Sequence, residues 1–184
     1  TIVALHRAVY LARANPDARV LLTTFSETLA SALKTRLRRL ISNEPRLAER
    51  LEVHAVDAIG ARLYKSHFGA PNVASRDSIR ERLMAAQKAA APNKFSLHFL
   101  HTEWDQVVDP WQLKNWEAYR DVVRLGRKTR LPEAQRALLW SIFEPVLNGL
   151  AKAGQVTTAE MFTKLAGPMV TMKAPPFDFA VVDE

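Results

Sequence analysis

The chain has 184 residues, 48% of them hydrophobic and 24% charged, which is ordinary globular composition for one domain or one domain carrying a large insertion. Intrinsic disorder is excluded as the main state, and no apolar run approaches the roughly 18 residues that a membrane-crossing helix needs. The chain has no cysteine, which excludes disulfides, thiolate nucleophiles and thiolate metal sites and leads to the expectation of a soluble, cytoplasmic protein with no membrane partner. Twenty-six Lys and Arg against nineteen Asp and Glu leave a net charge of +7, a balance that suits a polyanionic partner.

Ile2, Leu5, Val9 and Ala12 share one helical face, and Asn15-Pro16-Asp17 ends that helix in a turn. Residues 19–25, RVLLTTF, form a short, nearly continuous apolar and β-branched run, as in a strand buried on both faces of a parallel sheet. Ser26 has the chemistry of an N-cap for a helix whose inner stripe is Leu29, Leu33, Leu37, Leu40 and Ile41. Lys34, Arg36, Arg38 and Arg39 fall on its outer face, where solvation is expected. Residues 51–56, LEVHAV, form the second strand, followed by a helix through Ile59, Leu63 and Tyr64. After Pro175-Pro176, residues 177–184 form the third.

Residues from about 70 to 155 differ: helical periodicity dominates, and all four tryptophans, Trp104, Trp111, Trp116 and Trp140, lie there. A long helical block between strands implies an inserted subdomain, and large aromatics in such a block are assigned to its core. His98 and His101 could share a helical face, but the sequence offers no third ligand for a zinc site.

Ligands of parallel sheets bind at the carboxyl ends of the strands, which is where Asp183 and Glu184 fall. Four hydrophobic residues leading into Asp-Glu match the Walker B pattern, in which the aspartate holds Mg²⁺ and the glutamate activates water. Thr1 begins a helix at once, as the last residue of a phosphate-binding Gly-Lys-Thr loop does, although a plain threonine cap explains it too. The two ends together suggest a fragment running from the end of a phosphate loop to the start of a Walker B motif.

Thr24-Phe25-Ser26-Glu27-Thr28-Leu29-Ala30, after its strand, resembles motif Ia of the UvrD/Rep-like superfamily-one DNA helicases. Glu27, Thr28 and Leu29 stand where that family often has Asn-Lys-Ala. Residues 53–62, VHAVDAIGAR, look like motif Ib, with Asp57 in the place of the usual His and alanines at 55 and 58 in place of hydroxyl residues. Val181-Val182-Asp183-Glu184 resembles the start of motif II, and all three stretches occur in family order.

The resemblance implies an α/β fold: a RecA-like P-loop NTPase parallel sheet with an inserted helical subdomain. Its expected parts are 1–69 as the first piece of the ATPase subdomain, 70–155 as the helical insertion, and 156–184 as the return to the sheet. It further implies ATP and Mg²⁺ as cofactors, single-stranded or partly duplex DNA as partner, and translocation in the 3′ to 5′ direction. In that reading Thr1 contacts nucleotide and, with Asp183, the metal, while Glu184 is catalytic. Thr24, Phe25, Ser26 and His54 lie on the DNA track, joined by Arg124, Arg127 and Lys128 from a basic loop around Gly126. Phosphoryl transfer needs several groups at once, so these 184 residues alone are expected to hydrolyse ATP barely or not at all. The rival readings are a non-enzymatic nucleic-acid-binding helical module and a P-loop nucleotide kinase.

Overall fold

The structure, a computed structural model, describes residues 1–124 and 130–183. The chain divides into two compact units, Thr1–Ala70 with Lys164–Glu184, and Pro71–Thr163.

The first unit opens with α1, Ile2–Ala14, whose buried stripe is Leu5, Ala8, Val9 and Ala12. Ile2 was expected on that stripe, but it lies in the first turn, beyond what the neighbouring elements cover, and is 61% exposed. β1, Val20–Thr24, is buried at every position, as the unbroken apolar run demands. Ser26 caps α2, Glu27–Leu40: its Oγ accepts the Leu29 amide at 3.2 Å, satisfying an amide that the first turn leaves without a helical partner. Leu33 and Leu37 of α2 are buried, whereas Leu29 and Leu40 are half-buried at the stripe's edge. The short α3, Pro45–Ala48, leads into β2, Leu51–Ala55. α4, Val56–Phe68, follows without a loop and stops at Gly69, whose φ of +85° is open to glycine and costly for other residues.

β3, Phe179–Asp183, completes a three-stranded parallel sheet of order β2-β1-β3. Val20 pairs with both Leu51 and Phe179, and Thr24 with both Ala55 and Asp183, so the three strands end level. Leu5, Val9, Leu22, Leu33, Leu37 and Val53 share the core of this unit.

In the second unit α5 (Arg76–Ala89), α6 (Leu97–Glu103), a π-helical turn (Trp104–Val108), α7 (Trp116–Asp121) and the long α8 (Glu133–Lys152) surround a core that includes Leu83, Leu100, Trp104, Tyr119, Leu139 and Phe143. α9, Thr158–Thr171, begins in this unit, and the division at 163/164 falls inside it, later in the chain than the 155/156 expected from composition. Trp104 and Trp140 are in the core and Trp116 is half-buried against it, but Trp111 is 56% exposed. Trp111 stands between the π turn and α7, where helical periodicity does not apply. No helix of the described residues is long and apolar enough to cross a membrane.

Candidate functional site

Level strand ends place Thr24 beside Asp183 at the carboxyl edge of the sheet. Residues in register across parallel strands face the same side, so both side chains belong to the face that carries Val20, Leu22 and Val181. Asp183 is 8% exposed, and its Oδ1 lies 2.9 Å from the charged α-amino nitrogen of Thr1, at the start of α1. Its Oδ2 is buried with no hydrogen-bond partner among the described residues, and so is the hydroxyl of Thr24; the Thr23 hydroxyl, also without a partner among them, belongs to the opposite face of the sheet. The Thr1 side chain makes no capping hydrogen bond to α1. The strand ends and the start of α1 thus form a polar corner in which two buried oxygens, Asp183 Oδ2 and the Thr24 hydroxyl, lack partners among the described residues. Oxygen ligands of this kind suit a hard cation such as Mg²⁺.

Phe25, the next residue after β1, is 85% exposed and contributes nothing to the core. The Ser26 hydroxyl is engaged in capping α2. His54 pairs in register with Thr23, one residue out of step with Asp183, and so faces the opposite side of the sheet. There its Nε2 lies 3.0 Å from Glu52 Oε2. Glu52 also accepts from Arg62 at 2.7 Å and from Arg19 at 3.0 Å, and both guanidinium groups lie over the Phe177 ring, at 5.4 Å for Arg19 and 5.9 Å for Arg62.

Burial pushes the Glu52 carboxyl up, but hydrogen bonds from Arg62, His54 and Arg19 outweigh it and hold it below the usual glutamate value. A carboxyl depressed on folding stabilises the native state above its unfolded pKa, about 4.3, and loses that contribution as pH falls through the lower folded value. Glu52→Gln is therefore expected to lower stability at pH 7 by up to about 1 kcal/mol, because these pairs are partly solvated, and to have no effect near pH 2. Urea unfolding across that pH range measures it; an equal loss at both ends would contradict the assignment.

Arg124 lies in the helical unit, where the side chain is 5% exposed and grips Glu103 through two hydrogen bonds, Nε to Oε1 and Nη2 to Oε2, each 2.6 Å. The Tyr119 hydroxyl donates to the same carboxylate at 3.2 Å. Burial, with the Glu103 charge beside it, pushes the Tyr119 phenol well above its ordinary value. Arg124 is thus turned inward to an acid 21 residues earlier in the chain, a pairing that no local spacing signals. Arg127, Lys128 and Glu184 lie outside the described residues. Of the two histidines considered for metal, His101 does have an acid beside it: its Nδ1 is 3.0 Å from Asp105 Oδ2, one helical turn on.

The fold and the corner define an α/β protein with a three-stranded parallel sheet and a helical unit between its second and third strands. No protein-family model matches the chain, and no curated protein matches it.

Proposed function

We propose that this chain is part of an ATP-dependent DNA helicase or translocase, a RecA-like ATPase core that resembles the UvrD/Rep-like enzymes. One observation carries the reading most: Thr1 and Asp183, at opposite ends of the sequence, meet at 2.9 Å where parallel strands present their carboxyl ends. The partnerless Oδ2 of Asp183 and the uncommitted Thr1 side chain suit a bound cation and phosphate. The amides in the first turn of α1 have no helical partners and would face the phosphates. Magnesium bound here would neutralise triphosphate charge and fix its geometry. Asp183 and Thr1 would hold it, and Glu184 would take a proton from the attacking water. Phe25, exposed at the end of β1, offers a ring on which a base of single-stranded DNA can stack.

The test is ATP hydrolysis, with and without single-stranded DNA, by a polypeptide carrying this chain with its neighbouring sequence at both ends, beside a salt titration of DNA binding. Magnesium-dependent hydrolysis stimulated by DNA is expected. Salt-sensitive DNA binding without hydrolysis would favour a nucleic-acid-binding module, and hydrolysis or phosphoryl transfer indifferent to DNA would favour a nucleotide kinase.

A further inference from the structure

A cavity of about 370 Å³ opens between α5 and α6 of the helical unit, lined by Arg76, Asp77 and Arg80 of the first helix and Leu97, His98 and His101 of the second. That volume falls within the range of small-molecule sites, about 300–1,000 Å³. Arg76, Asp77, Arg80 and His98 are exposed and His101 is half-buried, so the charged and polar groups of the lining are within reach of a ligand.

The sequence builds positive charge here against the preference of a helix. Ser75 caps α5, its Oγ accepting the Ser78 amide at 3.1 Å, and Arg76 follows at once with Arg80 one turn later. At this spacing the two side chains are neighbours on one face, with Cβ atoms about 5–6 Å apart. A cation in the first turn of a helix opposes its dipole, and like charges four residues apart oppose each other. Neither guanidinium has a hydrogen bond or ion pair among the described residues. An anion held between the two groups relieves both costs.

The rest of the lining selects what that anion carries. Asp77 has no partner among the described residues either, and an ionised carboxylate only accepts hydrogen bonds. It repels a bare anion and is satisfied by a hydroxyl. His101 Nδ1 lies 3.0 Å from Asp105 Oδ2, another pure acceptor, so Nδ1 carries a proton and the neutral ring keeps Nε2 as an acceptor. Leu97 adds an apolar surface for carbon-bound hydrogens. Two guanidinium groups suit a phosphate monoester, which carries about −1.5 to −2 charges at pH 7 and offers each of them a pair of oxygens.

We propose that this cavity binds a sugar phosphate, with Arg76 and Arg80 on the phosphate and Asp77 and His101 on hydroxyls of the sugar. The site rests on residues of the helical unit alone and stands apart from the nucleotide reading.

Titration of the full chain with ribose 5-phosphate at pH 7, followed by amide chemical shifts, is the test. Saturable shifts centred on Arg76, Arg80 and His98 are expected, with ribose and inorganic phosphate each binding at least about tenfold more weakly. Arg76→Gln and Arg80→Gln, both at exposed positions, are each expected to weaken binding at least about tenfold, and the same spectra show that each variant is folded. Asp77→Ala separates the two halves of the site: it is expected to weaken ribose 5-phosphate about threefold or more while tightening inorganic phosphate. No saturable shift, wild-type affinity in both arginine variants, or inorganic phosphate bound as tightly as ribose 5-phosphate would each overturn the proposal. Tighter binding of oligothymidylate than of ribose 5-phosphate would overturn it too, and make the cavity a nucleic-acid contact.

Discussion

Arg124→Leu is expected to destabilise the helical unit by about 3–5 kcal/mol, the usual cost of removing one partner from a buried ion pair. Glu103 is fully buried, and the two short hydrogen bonds from Arg124 supply its cationic partner. Taking the guanidinium away removes both of those hydrogen bonds from a fully buried carboxylate, and the Tyr119 hydroxyl that donates to it carries no charge to replace them. Desolvation of the remaining charge decides the sign, since the attraction lost is largely offset by the cost of having buried both groups. The double replacement, Glu103→Leu with Arg124→Leu, is accordingly expected to recover most of the loss. All four tryptophans lie within 71–163, so urea unfolding followed by their fluorescence reports on this unit selectively. A single-variant loss below about 1 kcal/mol would mean that the pair is dispensable and that Arg124 is available for other contacts.

The sheet was legible because its evidence is local. Residues 20–24 are apolar or β-branched throughout, Ser26 stands where a cap is needed, and the α2 stripe recurs at helical spacing. The polar corner was legible for a different reason: an acid after four hydrophobic residues marks a strand's carboxyl end, and Thr1 stands directly before a helix, whose first amides point outward. Only the fold brings the two to 2.9 Å, since 182 positions separate them in the chain. Arg124 shows the limit. Three further basic residues within the next six made it look like a phosphate contact, but its partner Glu103 comes from another element and leaves no periodic trace. The same holds for the Glu52 cluster, assembled from β2, α4 and the approach to β1. The cavity between α5 and α6 was hidden as well, because Arg76 and Arg80 meet His98 and His101 only when the two helices pack.

Asp183→Asn is expected to reduce ATP hydrolysis by the extended polypeptide at least about 100-fold while leaving the sheet unit as stable or about 1 kcal/mol more stable. The two effects have one cause. In the folded chain the Asp183 carboxylate is buried at the end of β3, and one of its oxygens has no partner among the described residues. An ionised group so placed costs desolvation that its contact with the Thr1 nitrogen only partly offsets. In the extended polypeptide the Thr1 nitrogen is a neutral amide and not the charged amino group that pairs with Asp183 in this chain, so asparagine keeps the shape and an acceptor for that contact, removes the charge, and stability has no reason to fall. A bound cation does need the charge, and hydrolysis falls with it. Thr24→Val makes the complementary case: it deletes a buried hydroxyl without a partner at nearly constant volume and is expected to stabilise by about 1 kcal/mol. Urea unfolding and ATPase rates on the same preparations read both effects. If Asp183→Asn instead destabilised the unit by several kcal/mol, the acid would be a structural fastener of α1 to the sheet, and the nucleotide reading would lose the residue on which it depends.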